Sequence, residues 1–202
     1  LNDLLEKDDR DPYVHYLLGE AYMADNNKQY AIVEYRQVLK LGRYNEKMRE
    51  ADIRGKLAAL YMERKAHEEA KKEYLILTKI DPANYKNYYE LGKIFYNIGM
   101  LEKAIGFLKK SVQQNTNHAD SYYYLGQIYY RHGSHADAKQ ALVQAIKIDP
   151  SNSKAHYFLG LVLRQQNDYE WAIKEFEIAQ KSEALKVKCF LAKGSCHLER
   201  GQ

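Results

Sequence analysis

The sequence predicts an all-α protein, a solenoid of antiparallel helix pairs, and two repeating patterns carry this prediction. Glycines recur at one constant interval, at Gly92, Gly126, Gly160 and Gly194. Alanines recur at the same interval, at Ala70, Ala104, Ala138 and Ala172. Two independent series with one period indicate a stack of equal structural units rather than a single globular core. Such a stack presents a long surface that usually serves to hold other molecules.

The two series divide the chain into repeats, each taken to begin seven residues before its glycine, or before Ala58 in the second repeat. The predicted segments are 1–11, the end of a preceding second helix; five repeats at 12–50, 51–84, 85–118, 119–152 and 153–186; and 187–202, the first helix of a shortened sixth repeat. Neither end carries a polar capping helix, so we expect the chain to be part of a longer protein.

The fourth repeat shows how each unit is built. Apolar and small residues recur at helical spacing in two groups, which predict one face of a first helix and one face of a second. The groups are Tyr122, Leu125, Gly126 and Tyr129, then Ala138, Leu142 and Ala145. The turn 131–134 separates them, and Gly133 is suited to end the first helix. We expect the two helices to approach closely at Gly126 and Ala138, where a large side chain would push them apart.

Prolines and asparagines mark the ends of the second helices. Pro82 and Pro150 cannot continue a helix, and Asn152 can cap the helix that follows. In the third repeat we expect Asn115 and Asn117 to end the helix instead. The interval from Gly19 to Ala58 is longer than the others, so five extra residues lie near 43–50. They predict a longer loop or an extra helical turn.

These motifs resemble the tetratricopeptide repeat, whose pattern is Trp-x2-Leu-Gly-x2-Tyr, then Ala-x3-Phe, then Pro. The fourth repeat matches with Tyr122-Leu125-Gly126-Tyr129, then Ala138-Leu142 and Pro150. The fifth matches with His156-Leu159-Gly160-Leu163, then Ala172-Phe176. The resemblance covers residues 12–186, and it implies a right-handed superhelix in which the first helices line a concave groove.

Tyrosine is unusually abundant, with 19 in the chain. It combines a large contact area with a polar tip and is enriched at interfaces. Some tyrosines occupy the packing positions of the family, and others occupy positions that the resemblance assigns to the groove. The residues predicted to line the groove are Tyr16, Tyr89, Lys93, Tyr96, Tyr123, Tyr124, Gln127, Tyr130, Arg131, Tyr157, Phe158 and Arg164. The alternative is that some of these rings only close gaps between neighbouring helices.

Composition narrows the function further. The net charge is +4, with basic and acidic residues interspersed, which is typical of solvated helix faces and weighs against nucleic-acid binding. The sequence contains neither an apolar run long enough to insert into a membrane nor a phosphate loop or nucleophile elbow. Cys189 and Cys196 are interpreted as small packing residues. We therefore predict no catalytic residues, metal or cofactor. Low cysteine content slightly favours the cytoplasm and leaves the periplasm open.

Two functions remain. The first is a non-enzymatic scaffold that binds a peptide segment or helix of another protein in the groove, with the tyrosines supplying apolar area. Lys93, Arg131 and Arg164 would then fix the register of the bound segment. The second is a module that forms oligomers when repeats of separate copies stack.

Overall fold

The structure is a computed structural model, and it describes residues 10–201. This range forms eleven α-helices and no strand, apart from one isolated bridge between Asn45 and Met48. The helices are α1 (Pro12–Ala24), α2 (Lys28–Leu41), α3 (Glu50–Glu63), α4 (His67–Ile80), α5 (Tyr85–Asn97), α6 (Leu101–Gln114), α7 (Ala119–Arg131), α8 (His135–Ile148), α9 (Ser153–Gln165), α10 (Tyr169–Ala179) and α11 (Glu183–Glu199). The predicted all-α class is confirmed. Of the predicted helix end at 1–11, residues 1–9 lie outside the described range.

The described range divides into two compact blocks, one ending at residue 87 and the other beginning at residue 88. In the first block, α1 packs on α2, α2 on α3, and α3 on α4. The extra residues near 43–50 form the loop that the spacing predicted, beginning after Gly42 with its positive φ of 67°. The side chain of Met48, in this loop, is buried in the core beside Ile53 and Leu57. The insertion therefore contributes an apolar side chain to the core.

In the second block, successive helices from α6 to α11 pack against each other. The two helices predicted in the fourth repeat are α7 and α8, separated by a turn in which Gly133 has a φ of 75°. The core of this block is built from small residues facing large ones, and it includes Ala138, Leu142, Ala172 and Phe176. A chain of paired helices in contact with their neighbours is the arrangement that the repeat predicts.

The periodic glycines allow the close approach that the sequence predicted. A Cβ atom placed on Gly126 would lie 2.5 Å from Leu142 Cγ. One placed on Gly160 would lie 2.6 Å from Phe176 Cε1. Gly194 differs, because a Cβ there would meet no atom within 4 Å among the residues described.

The helix ends follow the predicted chemistry. Asn152 Oδ1 accepts a hydrogen bond of 3.0 Å from the backbone N–H of Ala155, and Asn115 Oδ1 accepts one of 3.0 Å from Asn117. Cys189 and Cys196 are buried and unbridged, which agrees with their interpretation as packing residues. The last helix begins at Glu183, four residues before the predicted start at 187, mainly because α10 has 11 residues whereas the second helices of the earlier repeats have 14.

Candidate functional site

Seven aromatic side chains of the first helices in the second block form one connected group, which we call the aromatic cluster. Three helices contribute its members: Tyr89 and Tyr96 from α5; Tyr123, Tyr124 and Tyr130 from α7; and Tyr157 and Phe158 from α9. Residues seven apart lie on the same face of a helix, which is why Tyr89 and Tyr96, or Tyr123 and Tyr130, can join one surface.

The rings contact each other mainly edge to face. The ring centroid of Tyr124 lies 5.9 Å from that of Tyr89, 5.6 Å from Tyr96 and 5.1 Å from Tyr123. Phe158 connects Tyr123 with the two remaining rings. Its centroid lies 5.9 Å from the centroids of Tyr123 and Tyr130 and 5.7 Å from that of Tyr157. Edge-to-face pairs at these distances are favourable beyond simple burial. The cluster is therefore a packed aromatic surface rather than a set of isolated rings.

Burial differs among the cluster members. Tyr123 is only 8% exposed and belongs to the core, whereas the other six are half-buried. Burial raises the pKa values of Tyr89, Tyr123 and Tyr124, and nearby Asp120 raises each of them further. The phenols consequently stay neutral, and the half-buried ones can offer hydrogen-bonding tips together with apolar ring area.

Two cations lie over the cluster. Lys93 Nζ is 4.8 Å from the ring centroid of Tyr89 and 3.0 Å from both carboxylate oxygens of Glu90. The exposed guanidinium of Arg131 lies 5.0 Å from the centroid of Tyr96. Both are cation–π distances. Lys93 is held by its carboxylate neighbour, whereas no carboxylate among residues 10–201 forms an ion pair with Arg131, so its donors are available to a ligand.

The remaining predicted groove residues have other surroundings. Gln127 and Arg164 are half-buried on α7 and α9. Tyr16 belongs to the first block, where its ring lies 5.4 Å from Lys56 Nζ. Lys56 also forms an ion pair with Glu20, and Glu20 accepts a hydrogen bond from the hydroxyl of Tyr35. The structure thus brings seven of the twelve predicted residues into one cluster, and two more, Lys93 and Arg131, lie over its rings.

Sequence reasoning missed two features of the site. Tyr122, Tyr123 and Tyr124 are consecutive, and at 100° per residue they cannot all face one groove. The sequence assigned Tyr122 to the packing face, but the structure buries Tyr123, which was predicted to line the groove. The second feature is His118, whose ring centroid lies 4.7 Å from that of Tyr89 and closes that edge of the cluster.

Two other kinds of site are absent from the described part of the chain. Among residues 10–201, no group of three or more His, Cys, Asp or Glu side chains is placed to hold a metal ion. None of the helices in that range is long and apolar enough to span a membrane.

Comparison with known proteins gives one family match and several structural matches. The family model described as "Anaphase-promoting complex, cyclosome, subunit 3" matches residues 97–179. No match is found among curated proteins. Two crystal structures of MamA have a TM-score of 0.73, with 26% and 28% identity; they cover 88% and 84% of this chain and 94% and 96% of their own.

Two further structures share the fold at lower identity. YrrB, described as a TPR protein with an unusual peptide-binding site, has a TM-score of 0.75 at 18% identity and covers 96% of this chain and 97% of its own. MamA from Desulfovibrio magneticus RS-1 has a TM-score of 0.73 at 16% identity, with 86% of this chain and 95% of its own covered. Similarity at this level concerns the fold.

Proposed function

Because this chain is a tetratricopeptide-repeat protein, we propose that it is a non-enzymatic scaffold that binds a peptide segment or helix of another protein on the aromatic cluster. The fold is one of protein-interaction scaffolds. The more specific proposal concerns where the partner binds and by which contacts. It rests on one observation, the half-buried surface of six rings, joined through the buried Tyr123, beside the exposed Arg131.

The cluster has the composition of a binding surface. Half-buried tyrosines offer large apolar area with few rotatable bonds, so little conformational entropy is lost when a partner binds. Aromatic residues and arginine also dominate the residues that contribute most to binding energy at interfaces. Arg131 can pair with a carboxylate or backbone carbonyl of the partner and so fix its register. YrrB, with its peptide-binding site, supports this class of function for the fold.

The test is a variant that removes the accessible edge of the cluster and leaves the core intact. The variant is Tyr96→Ala/Tyr130→Ala/Arg131→Ala. It keeps Tyr123, because replacing that buried side chain by alanine would leave a cavity in the core. We expect a peptide selected against the wild-type protein from a displayed random library to bind the variant at least about tenfold more weakly, ~1.4 kcal/mol. Fluorescence anisotropy with the labelled peptide measures the loss.

The matched control is Tyr30→Ala, which removes an exposed tyrosine from α2 in the first block. We expect the control to bind the peptide like the wild type. Circular dichroism should show equal helicity for all three proteins. Equal affinity of the triple variant and the control, or failure to select any peptide, would contradict the proposal.

Self-association is a second candidate, favoured by one exposed face of α11. Four large apolar side chains there are mostly exposed, from 64% for Leu191 to 78% for Leu198, with Val187 and Phe190 between them. Their spacing places them on one side of the helix, together with the open Gly194. Contiguous apolar surface of this kind marks interaction sites. A second copy presenting the same helix would bury it in a two-fold symmetric dimer.

We expect Phe190→Lys/Leu191→Lys to remain monomeric at concentrations where the wild-type protein dimerises. The added charges would have to be buried unpaired in the interface, which strongly disfavours association. Light scattering after size-exclusion chromatography, over a wide range of concentration, measures the change. Trp171→Lys is the control, because it alters an exposed apolar residue on another helix and should leave dimerisation unchanged. A wild-type protein that stays monomeric throughout would rule this candidate out.

A further inference from the structure

A second surface of the same block lies between α8 and α10, above α9, and shares no residue with the aromatic cluster. It is an open cleft of about 270 Å³. The buried side chains of Leu159 and Leu163 form its floor, and Lys139, Val143 and Trp171 line its sides. Trp171 is the only tryptophan of the chain and is 57% exposed. We call this feature the second-helix cleft.

Comparison among the repeats shows that the apolar sides of the cleft are not needed for packing. Equivalent positions are found by counting from the periodic glycine of each first helix, or from Ala58 in the second repeat. At the position equivalent to Trp171, three other repeats hold a charged residue: Glu69, Lys103 and Asp137. The position of Val143, which is 43% exposed, also holds a charged residue in three others: Arg36, Lys109 and Glu177. Trp171 and Val143 are therefore apolar where the fold accepts a solvated charge.

The same comparison explains why the cleft is open. The position of Lys139 holds isoleucine in three other repeats, and those isoleucines are buried or half-buried: Ile32, Ile105 and Ile173. Lys139 is exposed instead and does not cover the leucine floor. In the second repeat the position holds Lys71, which pairs with Glu68. No carboxylate forms an ion pair with Lys139 in the part of the chain that the structure describes.

The charged residues around the cleft indicate which kind of group would bind there. Besides the free ammonium of Lys139, Lys174 Nζ lies 4.1 Å from the Trp171 ring centroid. Of the two carboxylates in the lining, Glu175 is occupied by His156, at 2.5 Å. Asp168 lies at the N-terminus of α10, where the helix dipole stabilises a negative charge. At the side of the cleft formed by Lys139, the ammonium group thus forms no ion pair with any described residue and can pair with an incoming carboxylate.

We propose that the second-helix cleft docks a segment of a partner protein that inserts one leucine or phenylalanine and places a carboxylate against Lys139. The volume is smaller than the roughly 300–1,000 Å³ of small-molecule sites and suits a single large side chain. An exposed tryptophan beside an apolar floor is the kind of residue that contributes most at protein interfaces. The ion pair with Lys139 would give the interaction its specificity and orientation, since an apolar cleft alone would accept many side chains.

Trp171 is also the reporter for the test, because no other tryptophan contributes emission. The probe is a synthetic helical peptide of alanine and glutamate with one central leucine, titrated against the full chain. We expect a saturable shift of the emission to shorter wavelength as the leucine covers the ring. Twin peptides carry alanine in place of leucine, or lysine in place of glutamate, and each should bind at least about tenfold more weakly, ~1.4 kcal/mol.

Two variants copy residues that other repeats already hold, so they should keep the fold. Lys139→Ile imitates Ile105 and Ile173 and should fill the cleft; Val143→Lys imitates Lys109. We expect both to weaken the leucine peptide at least tenfold and to retain wild-type helicity. No emission change with the wild type, equal binding of the lysine twin, or unchanged binding by folded Lys139→Ile would each overturn the proposal. So would light scattering that traces the signal to a second copy of the chain.

Discussion

Replacing Gly160 by alanine is expected to lower the free energy of unfolding, by up to about 2 kcal/mol, although alanine is the better helix former. The new Cβ would lie 2.6, 2.8 and 2.9 Å from three atoms of the Phe176 ring, which is rigid and fully buried. Overpacking costs ~1–3 kcal/mol, and three contacts below 3 Å to a rigid ring place this case in the upper part of that range, above the ~1 kcal/mol that alanine gains over glycine inside a helix. Urea denaturation followed by circular dichroism measures the change.

The chain supplies a matched control in Gly106, which is exposed within α6 and has no atom within 4 Å of an added Cβ. Gly106→Ala is expected to raise the free energy of unfolding by roughly 0.5–1 kcal/mol through helix propensity alone. The double variant Gly160→Ala/Phe176→Ala should lose less stability than the sum of its single changes, because the clash disappears with the ring. If Gly160→Ala is stabilised like Gly106→Ala, the close approach does not constrain the fold.

The two glycine substitutions are expected to change the free energy of unfolding in opposite directions, and this difference shows why so much of the fold was predictable. The glycine that recurs in four of the five full repeats, beside an alanine series, encodes a helix contact, whereas Gly106 and Gly55 stand outside the series and have open space around them. The start of α11 was less predictable, since it depends on where α10 ends rather than on a repeated residue. The burial of Met48 depends on where the inserted loop folds back, and no periodicity encodes that.

The candidate site was predictable at the level of helix faces. Position within the repeat identified the rings of the aromatic cluster, because the periodicity determines which side of each helix a residue occupies. It did not identify how strongly each ring is covered by its neighbours. Tyr123 illustrates this, since contacts with Tyr124 and Phe158 help to bury it, and those contacts depend on side-chain packing between helices.

One polar pattern was also present in the sequence and becomes interpretable only with the structure. Three repeats place a basic residue at the position of the family tryptophan and pair it with a glutamate on the second helix: His15 with Glu34, Arg54 with Glu73, and His156 with Glu175. The other two repeats hold Tyr88 with Phe107 and Tyr122 with Ala141 at the same positions. A repeat with a basic residue at the first position thus has a glutamate at the second. A repeat with a tyrosine at the first position has no glutamate at the second.

Glu175→Ala is therefore expected to destabilise the protein by about 3 kcal/mol below pH 6.5, because it leaves a buried cation without its partner. His156 Nδ1 donates to Glu175 Oε2 at 2.5 Å, and Nε2 donates to the carbonyl oxygen of Pro150 at 3.1 Å. A ring that donates from both nitrogens is protonated. The bond to Glu175 raises the pKa of His156 above its ordinary value of 6.5 against the effect of burial, with help from Pro150 and the nearby Asp149.

The raised pKa determines the sign of the pH dependence. The protonated ring stabilises the folded protein fully below the ordinary value of 6.5, and this stabilisation is lost as pH rises through the raised pKa. The wild-type free energy of unfolding should therefore fall across that interval. The decrease should be much smaller in Glu175→Ala, so that the difference between the two proteins narrows with rising pH. Urea denaturation on both sides of the interval measures it.

The double variant His156→Tyr/Glu175→Ala separates the charge effect from simple loss of packing. It copies the Tyr122 and Ala141 combination of the fourth repeat, which needs no ion pair. We expect it to recover at least half of the stability lost in Glu175→Ala, and to lack the pH-dependent decrease assigned to His156. A double variant as unstable as the single one would show that the glutamate stabilises the fifth repeat through contacts other than the ion pair. An unchanged pH slope in Glu175→Ala would show that His156 does not need this carboxylate for its charge.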